Sequence, residues 1–357
     1  MGIYIGRLGK EMTRIEEEIK KKGYLLADGA TGTNLFDMGL ESGYSPEFWN
    51  IEFPERVSTN HENFIRAGSD IILTNSFGAN KYRLALHDAE NRVEELNFEA
   101  ARLAKESTDK FEKLVFIAGS IGPTGEILEP LGALTIKDAQ SAFKKQALAL
   151  KDGGADLLWI ETMSSEEEME AALLAAKESL LPIICSYSFD THGKSMMGLE
   201  PSKLAELARK FYPDVIGYGA NCGIGASELI GSLICFKTSK KNDDLLLVAK
   251  GNCGVPEFMG DAIVYNGTPE MMAKYARHAR DMGASIIGGC CGTTHVHIKA
   301  MSESLESYKP LIEKIDLDSI IKNLGPMTTG NIAMINNYLN PGSTKIVPKR
   351  ERKRKRR

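Results

Sequence analysis

Ala284-Ser285-Ile286-Ile287-Gly288-Gly289-Cys290-Cys291-Gly292 is a short apolar run closed by glycines, with two adjacent cysteines where it ends. Such runs read as buried strands, which places both sulfurs at a strand's exit. Cys222 has the same setting, reached from Val215-Ile216-Gly217-Tyr218 through Gly219-Ala220-Asn221. Working outward, six more apolar runs recur at 24–29, 70–75, 114–119, 156–161, 183–187 and 245–249. They are nearly continuous rather than alternating, as parallel strands covered on both faces should be. Helical punctuation fills the gaps. Thr135 with Asp138 and Ser164 with Glu167 resemble capping boxes, and 90–110, 201–210 and 269–282 carry amphipathic spacing. Eight alternating units predict an α/β fold, a (β/α)8 TIM barrel with an N-terminal helix at about 11–22 and a C-terminal extension. A doubly wound open sheet is the alternative. The boundaries expected are 1–305 for the barrel and 306–357 for the extension, with a short helix around 309–323, an irregular segment after it, then a basic tail.

The 357 residues are 43% hydrophobic and 26% charged with a formal net charge of −4, which describes a globular protein with a sizeable core. No apolar run is long enough to span a bilayer, and the charged, polar start lacks the centre of a secretory signal, so a cytoplasmic location is expected. In a reducing compartment the adjacent cysteines are expected to stay reduced. The run 349–357 is almost all Lys and Arg, but it is short and poor in aromatics, and it reads as a solvated tail. No membrane or nucleic-acid partner is expected, and a homo-oligomer is compatible with the sequence.

In a TIM barrel the working face lies at the C-terminal ends of the strands. Those ends carry Asp28, Thr74 with Asn75, Glu161 with Thr162, Cys222, Asn252 with Cys253, and Cys290 with Cys291. Polar and sulfur residues therefore gather on one rim. Small buried cysteines are the plain alternative, but their common placement favours a soft-metal site, with zinc (Zn2+) the expected ion. Three thiolates make zinc a weak Lewis acid for hydrolysis and suit it to binding and ionising another thiol. Cys253 also falls on the rim and reads as a neighbour of the site. Cys185 and Cys235 read as core, and His295 and His297 as capping or surface residues.

Asp28-Gly29-Ala30-Thr31-Gly32-Thr33, Thr74-Asn75-Ser76-Phe77, Glu161-Thr162, Asn221-Cys222-Gly223 and Gly288-Gly289-Cys290-Cys291-Gly292 together resemble the homocysteine S-methyltransferases. The resemblance runs in register from about 22 to 305. It implies a zinc barrel in which Cys222, Cys290 and Cys291 hold the metal and homocysteine sulfur joins them. It also implies that Asp28 and Glu161 face the substrate ammonium, with Gly29, Ala30 and Thr74 near the rest of the amino acid. The catalytic nucleophile would be the zinc-activated substrate thiolate, with no separate catalytic side chain. Of the donors used in the family, a betaine–homocysteine S-methyltransferase acting on glycine betaine, or on a related onium compound such as dimethylsulfoniopropionate, is the expected type. An onium donor needs aromatic faces around its cation. Phe48, Trp49, Tyr44 and Phe77 are the best placed, and Tyr82 and Tyr187 are weaker. Gly78 and Thr162 stand where animal betaine enzymes carry tyrosine and look more like the methionine-synthase module. No corrinoid-binding segment is read in the sequence, so the methyl group is expected from a small molecule or from a separate corrinoid protein. The homocysteine-activating subunit of a split cobalamin-dependent methionine synthase is the second enzyme reading. A zinc-buffering or nucleic-acid-associated protein is the non-enzyme one.

Overall fold

The computed structural model describes residues 12–239, 244–259, 262–311 and 315–341; the basic run 349–357 lies outside the described residues. Eight parallel strands form the barrel: β1 Leu25–Leu26, β2 Ile71–Leu73, β3 Phe116–Ile121, β4 Leu157–Met163, β5 Ile183–Tyr187, β6 Val215–Cys222, β7 Leu246–Gly251 and β8 Ile286–Gly289. The ladder runs β1-β8-β7-β6-β5-β4-β3-β2, and a parallel bridge from Ala27 to Ile71 joins its two ends. Each of the eight apolar runs has become a strand. Their two faces bury different clusters, which is why the runs do not alternate.

The barrel interior is filled by Leu25, Ala27, Ile71, Leu73, Phe116, Trp159, Ile184, Val248 and Ile286. Ile15 and Ile19 join this cluster from the helix Arg14–Lys22, which packs beside β1. That helix is capped by Thr13 and Glu16 in a reciprocal capping box and closed by left-handed Gly23. Among the described residues no helix is long and apolar enough to cross a membrane.

Three local expectations are corrected. The cap before the helix Glu166–Lys177 is Ser165, one residue later than expected, and Glu168 sends its carboxylate to the Thr124 amide and hydroxyl. Where a helix is expected around 309–323, the described residues form Leu317–Leu324, started by Asp316. The segment read as irregular contains a second helix, Thr329–Leu339, started by Thr328. An antiparallel hairpin, Pro256–Met259 with Ala262–Tyr265, also follows β7.

The helix Thr329–Leu339 packs against the helix Ala226–Ser239 through a polar lock. Buried Glu228 takes the Thr328 amide and the Asn331 side chain, and Asn331 also donates to the Glu228 carbonyl at 3.1 Å. Hydrogen bonds to a buried carboxylate are each worth roughly 1.5–3 kcal/mol. Asn331→Ala should therefore lower unfolding free energy by about 2 kcal/mol in a denaturant titration, and Asn336→Ala, on the exposed face, by under about 0.5 kcal/mol.

Candidate metal centre

Two strand ends bring three thiols together. Cys222 ends β6, and Cys290 and Cys291 follow β8; their sulfurs lie within 4.8 Å of one another. The Cys222 and Cys291 sulfurs are 3.9 Å apart. Tetrahedral zinc with bonds of ~2.3 Å separates its sulfurs by about 3.8 Å, so the triad already has the spacing of a ZnS3 face. Three thiolates select zinc over harder ions, and zinc is the cofactor these residues hold. The thiols are close enough to share protons. The Cys291 thiol is held down to about 3 by hydrogen bonds from Cys222 and Cys290, with support from the Tyr265 phenol.

Local backbone conformation aims the sulfurs. Cys222 has φ 59° and Thr162, at the corresponding end of β4, has φ 62°. Left-handed conformations at non-glycine residues cost on the order of 1–3 kcal/mol and persist only where neighbours over-determine them. Asn221 supplies that restraint at Thr162. It accepts from the Thr162 amide at 2.9 Å and donates to the Thr162 hydroxyl at 2.6 Å. Asn252 ties the two cysteine loops together, donating to the Gly223 carbonyl at 2.6 Å and accepting from the Cys291 amide at 3.1 Å. Gly292 is left-handed at φ 74°, and a Cβ there would lie 2.3 Å from that of Tyr265, so the hairpin closes on the cysteine loop only with glycine at this position.

The triad borders a cavity of about 560 Å3. Gly29, Ala30, Thr74, Glu161, Tyr44 and Phe77 line it, together with Lys250, Tyr265, Phe36 and Glu47. The Ala30 amide donates to the Thr293 carbonyl at 3.0 Å and so is already used. Phe48 and Trp49 do not line the cavity. Phe48 packs with Leu84, Ala89, Val93 and Leu96, and Trp49 with Leu35, Leu40, Val57 and Leu103 under the Arg56 guanidinium. Rings in a long loop have found a core instead of the mouth of the barrel. Tyr82 and Tyr187 also lie off the cavity, Tyr187 donating to the Ser165 carbonyl at 3.2 Å.

The charges on the cavity floor differ from the expectation at Asp28. Its carboxylate is 1% exposed, receives Lys250 Nζ at 2.6 Å and the Leu73 amide at 2.7 Å, and does not line the cavity. The ammonium facing Asp28 is the protein's own. Lys250 is 2% exposed and lies 5.5 Å from the Trp159 ring centre. Burial pulls its pKa down, but Asp28 and Glu161 outweigh this and hold it charged. Burial pushes the Glu161 carboxyl up to about 7, against the pull of Lys250 and a 2.6 Å hydrogen bond from Ser120. Sequence reading missed Lys250, although it is two and four residues beyond inward-facing Val248 and Leu246, and strand parity alone points it into the barrel.

The other candidates fall outside the triad. Cys253 donates to the Gly267 carbonyl at 3.1 Å, and Cys185 and Cys235 are buried in the core. His297 accepts from the Thr294 amide through Nδ1 and meets the Gly267 carbonyl through Nε2, which makes it a neutral capping residue. Replacing Cys222, Cys290 or Cys291 singly by alanine should lower bound zinc at least tenfold, since two thiolates hold it poorly against exchange. Cys253→Ala should retain full zinc, and elemental analysis after dialysis against a weak chelator reads the difference.

Comparison with known proteins agrees with this geometry. The homocysteine methyltransferase MmuM of Escherichia coli, in its metallated form, superposes with a TM-score of 0.68 at 25% identity, covering 80% of this chain and 98% of that one. Methionine synthase of Mycobacterium tuberculosis is 25% identical over 323 residues, 86% of this chain and 27% of the relative. That of Mycobacterium leprae is 27% identical over 299 residues, 79% of this chain and 24% of the relative. The chain thus spans about a quarter of the length of the curated relatives it matches. The model of the family described as Homocysteine S-methyltransferase runs from the first barrel strand to the helix after the cysteine pair, residues 25–305, and the chain belongs to that family.

Proposed function

We propose that this chain moves a methyl group from a small onium donor, glycine betaine or a relative such as dimethylsulfoniopropionate, to the sulfur of homocysteine, giving methionine. The observation that carries the reading is a thiol triad bordering a cavity whose walls include Tyr44, Phe77, Phe36 and Tyr265. Zinc held by Cys222, Cys290 and Cys291 would keep a substrate thiol, otherwise mostly protonated near neutral pH, in its nucleophilic thiolate form. A sulfur lone pair then attacks the methyl carbon, and the carbon–nitrogen or carbon–sulfur bond of the donor breaks with its electron pair leaving on the heteroatom. The aromatic walls stabilise the cation before transfer and exclude water. The barrel, 1–305, would carry this chemistry, and the helices Leu317–Leu324 and Thr329–Leu339 brace it. A reduced triad suits a reducing compartment, and we place the protein in the cytoplasm.

A corrinoid-borne methyl group is the second reading, and a specific observation favours it. A Cβ at Gly78 would sit 2.9 Å from Glu47 Oε1, so a tyrosine there would have to displace a buried carboxylate that accepts from the Ser45 hydroxyl and the Gly78 amide. The deciding screen offers homocysteine with betaine, dimethylsulfoniopropionate, S-methylmethionine and methyl-cobalamin in turn. Turnover with betaine or dimethylsulfoniopropionate supports the proposal, and turnover with methyl-cobalamin alone overturns the onium donor. With an onium donor, Phe77→Ala should raise that donor's KM several-fold, from the loss of a contact worth roughly 0.5–2 kcal/mol, at unchanged zinc content.

Glu161 gives a pH signature. Its carboxyl titrates at about 7, so it is charged above that pH and neutral below it. Any attraction to the homocysteine ammonium should grow as pH rises from 6 to 8. Glu161→Gln should weaken homocysteine binding about tenfold at pH 8, on the order of 1.4 kcal/mol, and hardly at all at pH 6. Calorimetric titrations of both proteins at the two pH values give the comparison.

A further inference from the structure

Lys250 places a permanent cation in a cavity that Arg83, His87, Glu47 and Glu161 also line, and the strand ladder sets it level with Asn221 and Gly288, beside the triad. Its Nζ carries three N–H bonds, and Asp28 takes one at 2.6 Å. A buried ammonium is costly unless its donors are satisfied; among the described residues Asp28 is the one acceptor in hydrogen-bond reach of Nζ, and Lys250 itself lines the substrate space. Asp28, for its part, has one oxygen on Lys250 and the other on the Leu73 amide. A ligand that brings an ammonium therefore meets a carboxylate already neutralised and a like charge beside it. A ligand that brings a carboxylate meets unfilled donors.

We propose that Lys250 is the specificity-determining residue of the thiol subsite. It binds the substrate carboxylate and makes the α-ammonium dispensable, so the site accepts ω-thiol carboxylic acids as a class, homocysteine among them. This rests on the reading that a thiol joins the zinc triad. The remaining preference for an amino acid passes through Glu161, which lines the cavity with the triad and accepts from the Ser120 hydroxyl at 2.6 Å.

The test titrates the zinc-loaded full chain at pH 8 with three thiols: homocysteine, 4-mercaptobutanoate, which lacks only the amine, and 3-aminopropane-1-thiol, which lacks only the carboxylate. Wild type should bind 4-mercaptobutanoate within about tenfold of homocysteine and the aminothiol a hundredfold or more weaker, since only the carboxylate pairs with Lys250. Lys250→Met frees Asp28, and should raise the preference for homocysteine over 4-mercaptobutanoate by at least about tenfold. Should burial of an unpaired Asp28 unfold that variant, the double change Asp28→Asn with Lys250→Met removes both charges at similar volume. It should lose the carboxylate preference without gaining one for the amine. A wild-type preference for homocysteine of a hundredfold or more would overturn the proposal, as would variants that leave all three affinities in proportion. Failure of all three thiols to bind would overturn the zinc–thiol reading beneath it, a result distinct from a strict requirement for the amine.

Discussion

The metal centre depends on one side chain that contributes no sulfur. Asn252, just past β7, holds the Gly223 carbonyl after one cysteine and the Cys291 amide before another. The ladder brings β6 and β8 to one level, Cys222 and Gly289 both pairing with Gly251, but it leaves open the height of the cysteine loops beyond that pairing. The amide of Asn252 sets that height, buried and engaged at both ends. Around it the Cys291 carbonyl accepts from the Cys253 amide, and the Cys290 amide donates to the Gly251 carbonyl. Strain at left-handed Cys222 is tolerated because this network leaves the residue no relaxed alternative.

Charge placement is the second constraint. Removing one partner of a buried ion pair typically costs about 3–5 kcal/mol, whereas a well-packed apolar pair of similar volume is often as stable as the intact bridge. Stability alone therefore does not explain Asp28 and Lys250. Their position does: a carboxylate at the end of β1 and a lysine at the end of β7 meet beside the triad, above the apolar filling of the barrel. Electrostatics in this cavity act at short range and with little screening, so one lysine changes which ligand charges are welcome.

Much of this was legible in the sequence, for physical reasons that also mark where it stopped. Strands buried on both faces leave continuous apolar runs, so eight of them were visible, and the barrel rule placed their exits on one rim. The triad followed because Cys222, Cys290 and Cys291 end two such runs. Lys250 was passed over because a lysine at the end of a strand looks like an exit to solvent, although its parity with Val248 points inward. Trp49 lies off the cavity, because residue type shows that a ring must be buried, not against what. The helix Thr329–Leu339 was hidden by Gly330 near its start and by flanking Pro326 and Pro341; its partner, Glu228, is a hundred residues away in sequence. Contacts of that range leave no local periodicity.

The central claim is that the triad is a zinc site with one position for a substrate sulfur. X-ray absorption at the zinc edge, on the zinc-loaded chain before and after saturation with homocysteine, tests it most directly. The account predicts three sulfur neighbours at about 2.3 Å rising to four. A count that stays at three with homocysteine bound elsewhere, or a zinc shell dominated by nitrogen and oxygen, would contradict it.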